Sequence, residues 1–295
     1  MSIRPWLSII LAFAAWPSSL FAQAGRPKII DAHVHHNGDP AFLEKLHAKL
    51  ESVDGMALLI TAPEDLKSVT DFIRKHPKRI VCMGEVRLDD PVAAALVDRF
   101  HAAGCRGLSE ITSALKNYDD RSYWPIFERA EQYGMILLFH TGIVNRPDPT
   151  IPTDVSVDRM RPTTLDAIAR RFPKVTIIGA HLGNPDYAWS AEMARWHPNL
   201  FFDVSGSTLI KKQDDYTFFK SIFWWSGVVS PHTPAGGPHA FEKLVFGSDV
   251  FNGELEEFDR ELERYHKMLD ACAVPQAAQD NIFAGTMWRI LSAQK

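Results

Sequence analysis

The stretch IIDAHVHH, residues 29–36, ends an apolar run with one carboxylate and three imidazoles. If the run is a β-strand, its side chains alternate between two faces, so Asp31, His33 and His35 share one face, and Val34 and His36 take the other. Two histidines that leave a strand end in the same direction suit a metal ion. A strand whose polar end merely reaches solvent is the alternative at this point.

Residues of the same chemical types end five other apolar runs of the chain. They are Glu85, Glu110, His140, His181 and Asp249. Each alone has a structural explanation, because a single histidine is often a satisfied core residue and Asp249 suits a helix cap. Together, carboxylates and imidazoles crowded into one buried place are costly without a cation.

The runs that carry these residues predict how they are brought together. Eight short apolar segments read as strands: KIIDAHVH, GMALLIT, RIVCMGEV, CRGLSEI, GMILLFHTG, VTIIGAHLG, NLFFDVSG and KLVFGSDV. Between them lie helix-like stretches, with bounds 63–76, 91–103, 122–133, 163–172 and 254–269. Strands alternating with helices predict an α/β fold with a parallel sheet, and eight units predict a (β/α)8 TIM barrel. A doubly wound open sheet is the second option.

Length and charge narrow the class of protein. The chain has 295 residues, enough for one barrel domain, and a formal net charge of −4. Without a broad basic surface, nucleic acid is not an expected partner. A small-molecule substrate is expected instead, and a homodimer is reasonable to test.

Residues 1–24 have the features of a signal peptide. A basic residue, Arg4, precedes an apolar stretch, and Ala22 and Ala24 form the small-x-small pattern before a cleavage site. The apolar run is too short and too interrupted by Pro17 for a spanning helix. We therefore expect a mature barrel domain of residues 25–295, periplasmic or secreted, without a stable membrane anchor.

The chain has three cysteines, Cys82, Cys105 and Cys272, and such a small and odd number argues against a disulfide framework. Cys82 and Cys105 lie in apolar strand-like runs, where a buried inert thiol is the commoner case. A single bridge between these two cysteines stays open.

A long connection between residues 206 and 241 contains the aromatic segment YTFFKSIFWWSGVVS and then a Pro/Gly-rich loop. Long loops in compact domains are often functional, so this insertion suits a lid or a substrate wall at the barrel mouth. Equally, Trp224 and Trp225 suit packing onto the barrel or a dimer contact.

The ordered set of motifs resembles the amidohydrolase superfamily, in the branch of amidohydrolase-2 hydrolases and the metal-dependent decarboxylases similar to aminocarboxymuconate-semialdehyde decarboxylase. The motifs are IIDAHVHH, GCRGLSEI, LLFHTG, RPTTLDAIARRFPKVTIIGAHLG, HPNLFFDVSG, LVFGSDVF and NIFAGTMWRIL, and they cover nearly the whole mature chain. The resemblance implies that His33, His35, His140 and Asp249 bind a divalent metal. It also implies that His181 positions water or polarises the substrate, or is a ligand in two-metal members.

One departure bears on the number of metal ions. The family often has a lysine on the fourth strand that bridges two metals, whereas this chain has Ser109 and Glu110 there. Glu110 or Glu85 suits a bridging or substrate-binding carboxylate, although each also suits an ion pair with Arg87 or Arg106. We expect one ion, zinc or else manganese.

The expected activity is hydrolysis of an ester, lactone or amide by a metal-activated water. Asp249 would accept the proton of the water and later protonate the leaving group, and His181 would polarise the carbonyl. Asp31 is the expected acceptor of an N–H from a ligating imidazole. The alternatives are decarboxylation of an aromatic or unsaturated acid, a non-catalytic metal-holding binding module, and a metal-free glycosidase that uses Glu85 and Glu110.

Overall fold

The computed structural model describes residues 25–145, 148, 150–225, 239–251 and 253–294. Within these residues, seven β-strands form one sheet in which every strand is parallel to its neighbours and follows chain order. They are β1 (Ile29–His35), β2 (Gly55–Thr61), β3 (Ile80–Gly84), β4 (Gly107–Ile111), β5 (Ile136–Phe139), β6 (Ile177–Gly179) and β7 (Leu200–Phe202). This arrangement is the α/β barrel type that the sequence predicts.

The eighth predicted strand, KLVFGSDV, is not a regular strand. It nevertheless bonds to both edge strands, since the Val245 N–H donates to Phe202 O at 2.9 Å and the Ala32 N–H donates to Phe246 O at 2.8 Å. Isolated bridges join Leu244 to β7 and Val250 to β1. An irregular segment therefore connects the first and last strands.

Helices follow the strands in alternation, as the sequence predicts. The longer predicted helices are present with bounds shifted by a few residues; one predicted at 254–269 runs over Glu256–Ala271. The α-helices of the described residues are Pro40–Ser52, Leu66–Lys75, Ala93–Ala102, Trp124–Gln132, Leu165–Arg171, Tyr187–Trp196, Ser207–Lys211, Phe218–Ile222, Glu256–Ala271, Gln276–Asp280 and Thr286–Ala293. In the part of the chain that the structure describes, none of these is long and apolar enough to cross a membrane. The predicted signal peptide lies outside the described residues.

Every residue of β2, β3 and β5 is buried, so both faces of the sheet are covered. The inner cluster takes alternate strand residues such as Ile30, Ala32, Met56 and Leu58, together with Leu291 of the C-terminal helix. Gln294 after that helix donates to the backbone of Arg106 and Gly134, just before β4 and β5. The C-terminal helix therefore lies at the amino ends of the strands, which leaves the carboxyl ends open.

Two β-bulges break the strand alternation at chemically important places. In β1 the register steps from Asp31 to Val34 while β2 advances by two residues. In β4 it steps from Leu108 to Ile111 while β5 again advances by two. An extra residue in a strand re-aims the side chains that follow it.

Cys82 and Cys105 are joined by a disulfide, so the bridge that the sequence left open is present. It links β3 to the segment before β4. Cys272 is free and buried.

Candidate metal centre

The predicted histidines and Asp249 lie at the carboxyl ends of the strands. His33 and His35 end β1, His140 follows β5, His181 follows β6, and Asp249 belongs to the segment that connects β7 to β1. Carboxyl strand ends are where α/β barrels place their active sites. The structure therefore brings together residues that are up to 216 positions apart in sequence.

A first group of donor atoms is centred on β1. His33 Nε2 lies 3.1 Å from His35 Nε2, and Asp249 Oδ1 lies 3.5 Å and 3.3 Å from these two nitrogens. Glu110 reaches the same nitrogens at 3.9 Å. Ligand atoms of a tetrahedral zinc site are separated by about 3.4 Å, so this donor set fits a divalent cation.

A second group of donor atoms lies on the other side of Glu110. Glu110 Oε1 lies 2.7 Å from His140 Nδ1 and 3.5 Å from His181 Nε2. The ligand atoms of these three residues are close enough together to hold one ion. His140 Nε2 is buried and has no hydrogen-bond partner.

The two candidate carboxylates of the third and fourth strands have different surroundings. Glu110 lies in the cluster and forms ion pairs with histidines. Glu85 is 37% exposed and lies 4.0 Å from Arg87, which is the ion-pair alternative that the sequence left open. Glu85 is not among the described residues that line the cavity over the cluster, whereas Glu110 is. This arrangement does not favour a glycosidase in which Glu85 and Glu110 act as a catalytic pair.

Asp31 does not accept an imidazole N–H, contrary to the sequence prediction. Its Oδ1 instead accepts backbone N–H groups from His33 and Ser248, each at 3.0 Å. The physical reason is the β1 bulge, because the extra residue removes Asp31 from the face that His33 and His35 share. Burial raises the pKa of Asp31 to about 7.

Asp203, after β7, takes the role predicted for Asp31. Its Oδ2 lies 3.0 Å from His33 Nδ1, and its Oδ1 accepts from the backbone of His181 at 2.8 Å and from the Ser205 hydroxyl at 2.6 Å. The same hydroxyl lies 3.0 Å from His181 Nδ1. The sequence did offer a signal, since Asp203 ends the apolar run NLFFDVSG as the other site residues end theirs.

These contacts prepare the imidazoles for a cation. When Nδ1 of His33 or His181 donates to its oxygen partner, the lone pair is on Nε2, the nitrogen that faces the cluster. Asp203 supports both rings, one directly and one through Ser205.

The electrostatics of the cluster also favour a cation. Burial lowers the pKa of His33, but Asp249, Asp203 and Glu110 outweigh it and raise this pKa to about 10. Burial also lowers the pKa of His181, but Glu110, Asp249 and Asp203 outweigh it and raise this pKa to about 9. For Glu110 burial raises the pKa, yet His140, His181 and His33 hold it well below its usual value. The carboxylates thus create a negative potential that protons or metal ions neutralise.

Backbone strain is concentrated at the same residues. His181, Leu182 and Asp249 have φ values of 60°, 48° and 55°, in the left-handed region that non-glycine residues rarely adopt. Gly206 has a φ of +65°, and a Cβ there would lie 3.0 Å from His181 Nδ1 and 3.2 Å from Asp249 Oδ2. A side chain at residue 206 would therefore disturb the cluster directly.

The cluster lies at the base of an open cavity of about 570 Å³. Phe251 at its wall is 57% exposed and packs edge-on against His35 at 5.3 Å. Lys211 also lines the cavity, and its Nζ donates to Asn184 Oδ1 at 2.8 Å. The cavity is of the size that small-molecule sites have.

The aromatic insertion has two parts in the structure. Phe223 and Trp225 are buried in the main core, with Phe223 5.1 Å from Phe241, whereas Trp224 is 51% exposed. Packing onto the barrel, one of the predicted alternatives, is therefore what these two buried rings do. Residues 226–238, which hold the Pro/Gly-rich loop, lie outside the described residues.

The fold is an α/β barrel, and imidazoles and carboxylates converge at the carboxyl ends of its strands. These two features place the protein in the class of barrel enzymes with a candidate metal site. The amidohydrolase family model matches residues 30–291, and the chain belongs to this family. This confirms the resemblance seen in the sequence motifs. No functionally curated protein matches the sequence significantly.

Solved structures with a similar fold include decarboxylases as well as a protein described as a probable hydrolase. A 2,6-dihydroxybenzoate decarboxylase from Rhizobium is 12% identical with a TM-score of 0.59, over 91% of this chain and 100% of that chain. A protein described as a probable 2-pyrone-4,6-dicarboxylic acid hydrolase from Acinetobacter baumannii is 12% identical with a TM-score of 0.56, over 90% and 99%. A 5-carboxyvanillate decarboxylase from Novosphingobium aromaticivorans, determined with bound manganese, is 12% identical with a TM-score of 0.50, over 86% and 93%. At these identities the similarity establishes the fold.

Proposed function

We propose that the protein is a metal-dependent hydrolase that cleaves an ester, lactone or amide bond in a small molecule. The observation that carries this proposal is the first donor group, in which His33 Nε2, His35 Nε2 and Asp249 Oδ1 lie 3.1–3.5 Å from one another below an open cavity. Zinc suits these nitrogen and oxygen donors, and manganese is compatible with them.

The residues around this group have complementary roles. A divalent ion held there would lower the pKa of water and polarise a carbonyl oxygen. Asp249 is the proton acceptor. Burial raises its pKa, but His33, His35 and His181 lower it by more, so the net pKa is lowered and the carboxylate is ionised at neutral pH. Its side chain is 24% exposed, so it reaches the cavity where substrate binds. Asp249 then returns the proton to the leaving group.

Decarboxylation of an aromatic or unsaturated acid is the second candidate, and Lys211 is the observation that favours it. Among the described residues that line the cavity, Lys211 is the one lysine or arginine. Its ammonium group suits a substrate carboxylate. Phe251 adds an exposed aromatic face for a planar ring. Two of the solved decarboxylases named above share this barrel fold.

Metal content and turnover measured on the same preparations test the proposal. Plasma mass spectrometry of the purified chain should find bound zinc or manganese, and the His33→Ala/His35→Ala variant should lose it. A His47→Ala/His76→Ala variant is the matched control, because these neighbouring rings, 4.6 Å apart, lie outside the cluster. Asp249→Asn should lose turnover even with excess metal.

A substrate screen separates the reactions. Acid release from esters, lactones and amides reports hydrolysis, and carbon dioxide release from aromatic acids reports decarboxylation. Full activity of chelator-treated, metal-free protein would contradict the proposal. Bound metal without turnover on any substrate would favour a binding module.

We also propose that the protein is exported, with cleavage after residue 24. The Cys82–Cys105 disulfide supports this, because such bonds persist in oxidising compartments. Cell fractionation with mass spectrometry of the mature chain should find a protein without residues 1–24 outside the cytoplasm. Light scattering during size exclusion tests whether the chain forms a homodimer.

A further inference from the structure

We infer that Asn184 is a positioning residue that holds the ammonium group of Lys211 at the cavity, and that it thereby sets a preference of the site for ligands with an anionic group. The inference rests on the proposed function, because it takes the cavity as the substrate site. It is carried by the hydrogen bonds of the Asn184 side chain, and Asn184 is not among the site residues that the sequence predicts.

The backbone of Asn184 is fixed by its neighbours on both sides. Asn184 lies shortly after His181, and its N–H donates to His181 O at 3.1 Å. Its carbonyl oxygen accepts from the N–H of Ile143, in the segment after β5, at 2.9 Å. Gly142 lies so close to this oxygen that a Cβ at residue 142 would be 2.2 Å from it. The side chain of Asn184 therefore starts from a rigid base at the cavity wall, where the residue is only 5% exposed.

The amide group of Asn184 is held in one orientation. Its Oδ1 accepts hydrogen bonds from Lys211 Nζ and from the hydroxyl of Tyr187, each at 2.8 Å. Its Nδ2 donates to Ser207 Oγ at 2.9 Å. An ammonium group only donates hydrogen bonds, so the oxygen of the amide, and not the nitrogen, faces Lys211. The acceptor for the ammonium group is thus in place before a ligand binds.

Ser207 and Lys211 both reach Asn184 because of their spacing. They are the first and last residues of the helix Ser207–Lys211, so they lie on the same face of that helix at positions i and i+4. Tyr187 belongs to a different helix, Tyr187–Trp196, in which it is the first residue. Asn184 therefore joins the connections that follow β6 and β7 at the wall of the cavity.

The partner of Lys211 is neutral, which leaves the positive charge of the ammonium group uncompensated. None of the ion pairs among the described residues includes Lys211, and its described hydrogen bond is the one to Asn184. The ammonium group has three N–H donors, so two are left for a ligand in the cavity. A carboxylate at residue 184 would instead pair with Lys211 and weaken its attraction for an anionic ligand.

The position of Lys211 needs such a tether because its side chain is long and flexible. A lysine that is free to move loses rotamer entropy when it binds a ligand. Glu110 and Asp249 line the same cavity, so a free ammonium group would also be attracted toward these carboxylates. The hydrogen bond to Asn184 reduces both effects, since it fixes Lys211 beside the cavity in advance.

The test compares the binding of glutarate and butyrate to the full chain reconstituted with zinc, by isothermal titration calorimetry. Each acid has one carboxylate available to the candidate metal site, and glutarate has a second one available to Lys211. Wild type should bind glutarate about tenfold more tightly than butyrate, since hydrogen bonds between charged groups are strong. Asn184→Leu should reduce this preference to about threefold or less without changing the affinity for butyrate. Asn117→Leu is the control, because Asn117 is exposed and lies outside the cavity lining.

A double-mutant cycle separates positioning from a merely structural effect. Lys211→Met should abolish the preference for glutarate, and adding Asn184→Leu to that variant should change nothing further, because Asn184 acts through Lys211. If Asn184→Leu fails to fold, Asn184→Asp keeps the size of the side chain and pairs with Lys211, so it should also abolish the preference. Its control, Asn117→Asp, adds the same charge at an exposed position.

Three results would each overturn the inference. They are a failure of wild type to bind glutarate more tightly than butyrate, an unchanged preference in the Asn184 variants, and a further loss when Asn184→Leu is added to Lys211→Met. All three leave the proposed function intact, because that function is judged by metal content and turnover. A chain that binds no metal and turns over no substrate would overturn the proposed function instead.

Discussion

Asp203 Oδ2 lies 3.0 Å from His33 Nδ1, although the two residues are 170 positions apart in sequence. Both side chains are fully buried. Burial raises the pKa of Asp203, but the hydrogen bond and charge of His33 lower it to about 2, so Asp203 is an anion at neutral pH. The pair fixes the imidazole ring and directs its other nitrogen to the candidate metal site.

Asp203→Asn should therefore weaken metal binding without removing any ligand. The amide loses the negative charge that holds the His33 ring, so we expect a loss of about 10–100-fold in metal affinity. Competition with a chromogenic chelator measures this affinity. The control is the exposed Asp214→Asn, and equal affinities of the two variants would contradict the role of Asp203.

Gly206→Ala should disable the centre through steric contact. The new Cβ would lie 3.0 Å from His181 Nδ1 and 3.2 Å from Asp249 Oδ2, at a backbone φ of +65°. We expect a loss of turnover of roughly tenfold or more, together with about 1–3 kcal/mol of backbone strain. Gly134→Ala separates the two effects, because Gly134 has a φ of +63° and open space around its Cβ position. If both variants lose only stability, Gly206 has no special role at the site.

Lys211→Met should discriminate between charged and neutral substrates. It keeps an apolar stem but removes the ammonium group that lines the cavity. For a substrate with a carboxylate, KM should rise by about 10–100-fold, since hydrogen bonds to charged groups contribute roughly 1.5–3 kcal/mol. KM for neutral esters should change little. Lys78→Met, at an exposed position outside the cavity, serves as the control.

Glu261 should make the stability of the fold depend on pH. It is buried with Oε2 unpaired, and burial raises its pKa to about 8 despite the opposing effect of Arg264. Because the pKa of Glu261 is raised in the folded state, its contribution to the stability of the fold is fully present below about pH 4.5. This contribution decreases as the pH rises and is lost as the pH passes about 8. The free energy of unfolding should fall by up to a few kcal/mol over this window.

Urea unfolding of Glu261→Gln at pH 5 and pH 8 measures this effect, and the variant should be less pH-dependent than wild type. Glu257→Gln is the control, because Glu257 also pairs with Arg264 but has a lowered pKa. Its contribution is lost only at acidic pH, so it should change stability equally at pH 5 and pH 8. The same pH dependence in Glu261→Gln as in wild type would assign the effect to other groups.

Much of the fold follows from local patterns. Apolar runs such as GMALLIT predict strands that the structure contains, and the amphipathic stretch 254–269 corresponds to the helix Glu256–Ala271. The eighth run is different, because its apolar residues serve as a connection between two edge strands. Composition alone does not distinguish such a segment from a regular strand, since both are buried and both bond to neighbouring backbone.

The sequence by itself determined which chemical groups the protein possesses and at which end of the barrel they lie. His33, His35, His140, His181, Glu110 and Asp249 were all identified from strand ends, because residue type and order are properties of the chain alone. The tertiary structure decided how those groups are oriented. Bulges in β1 and β4 depend on pairing with neighbouring strands, so strict alternation misplaced Asp31, and the sequence did not decide between Glu110 and Glu85 as the carboxylate that lies among the histidines. The contact between Asp203 and His33 likewise exists only because the barrel brings β7 and β1 to the same end.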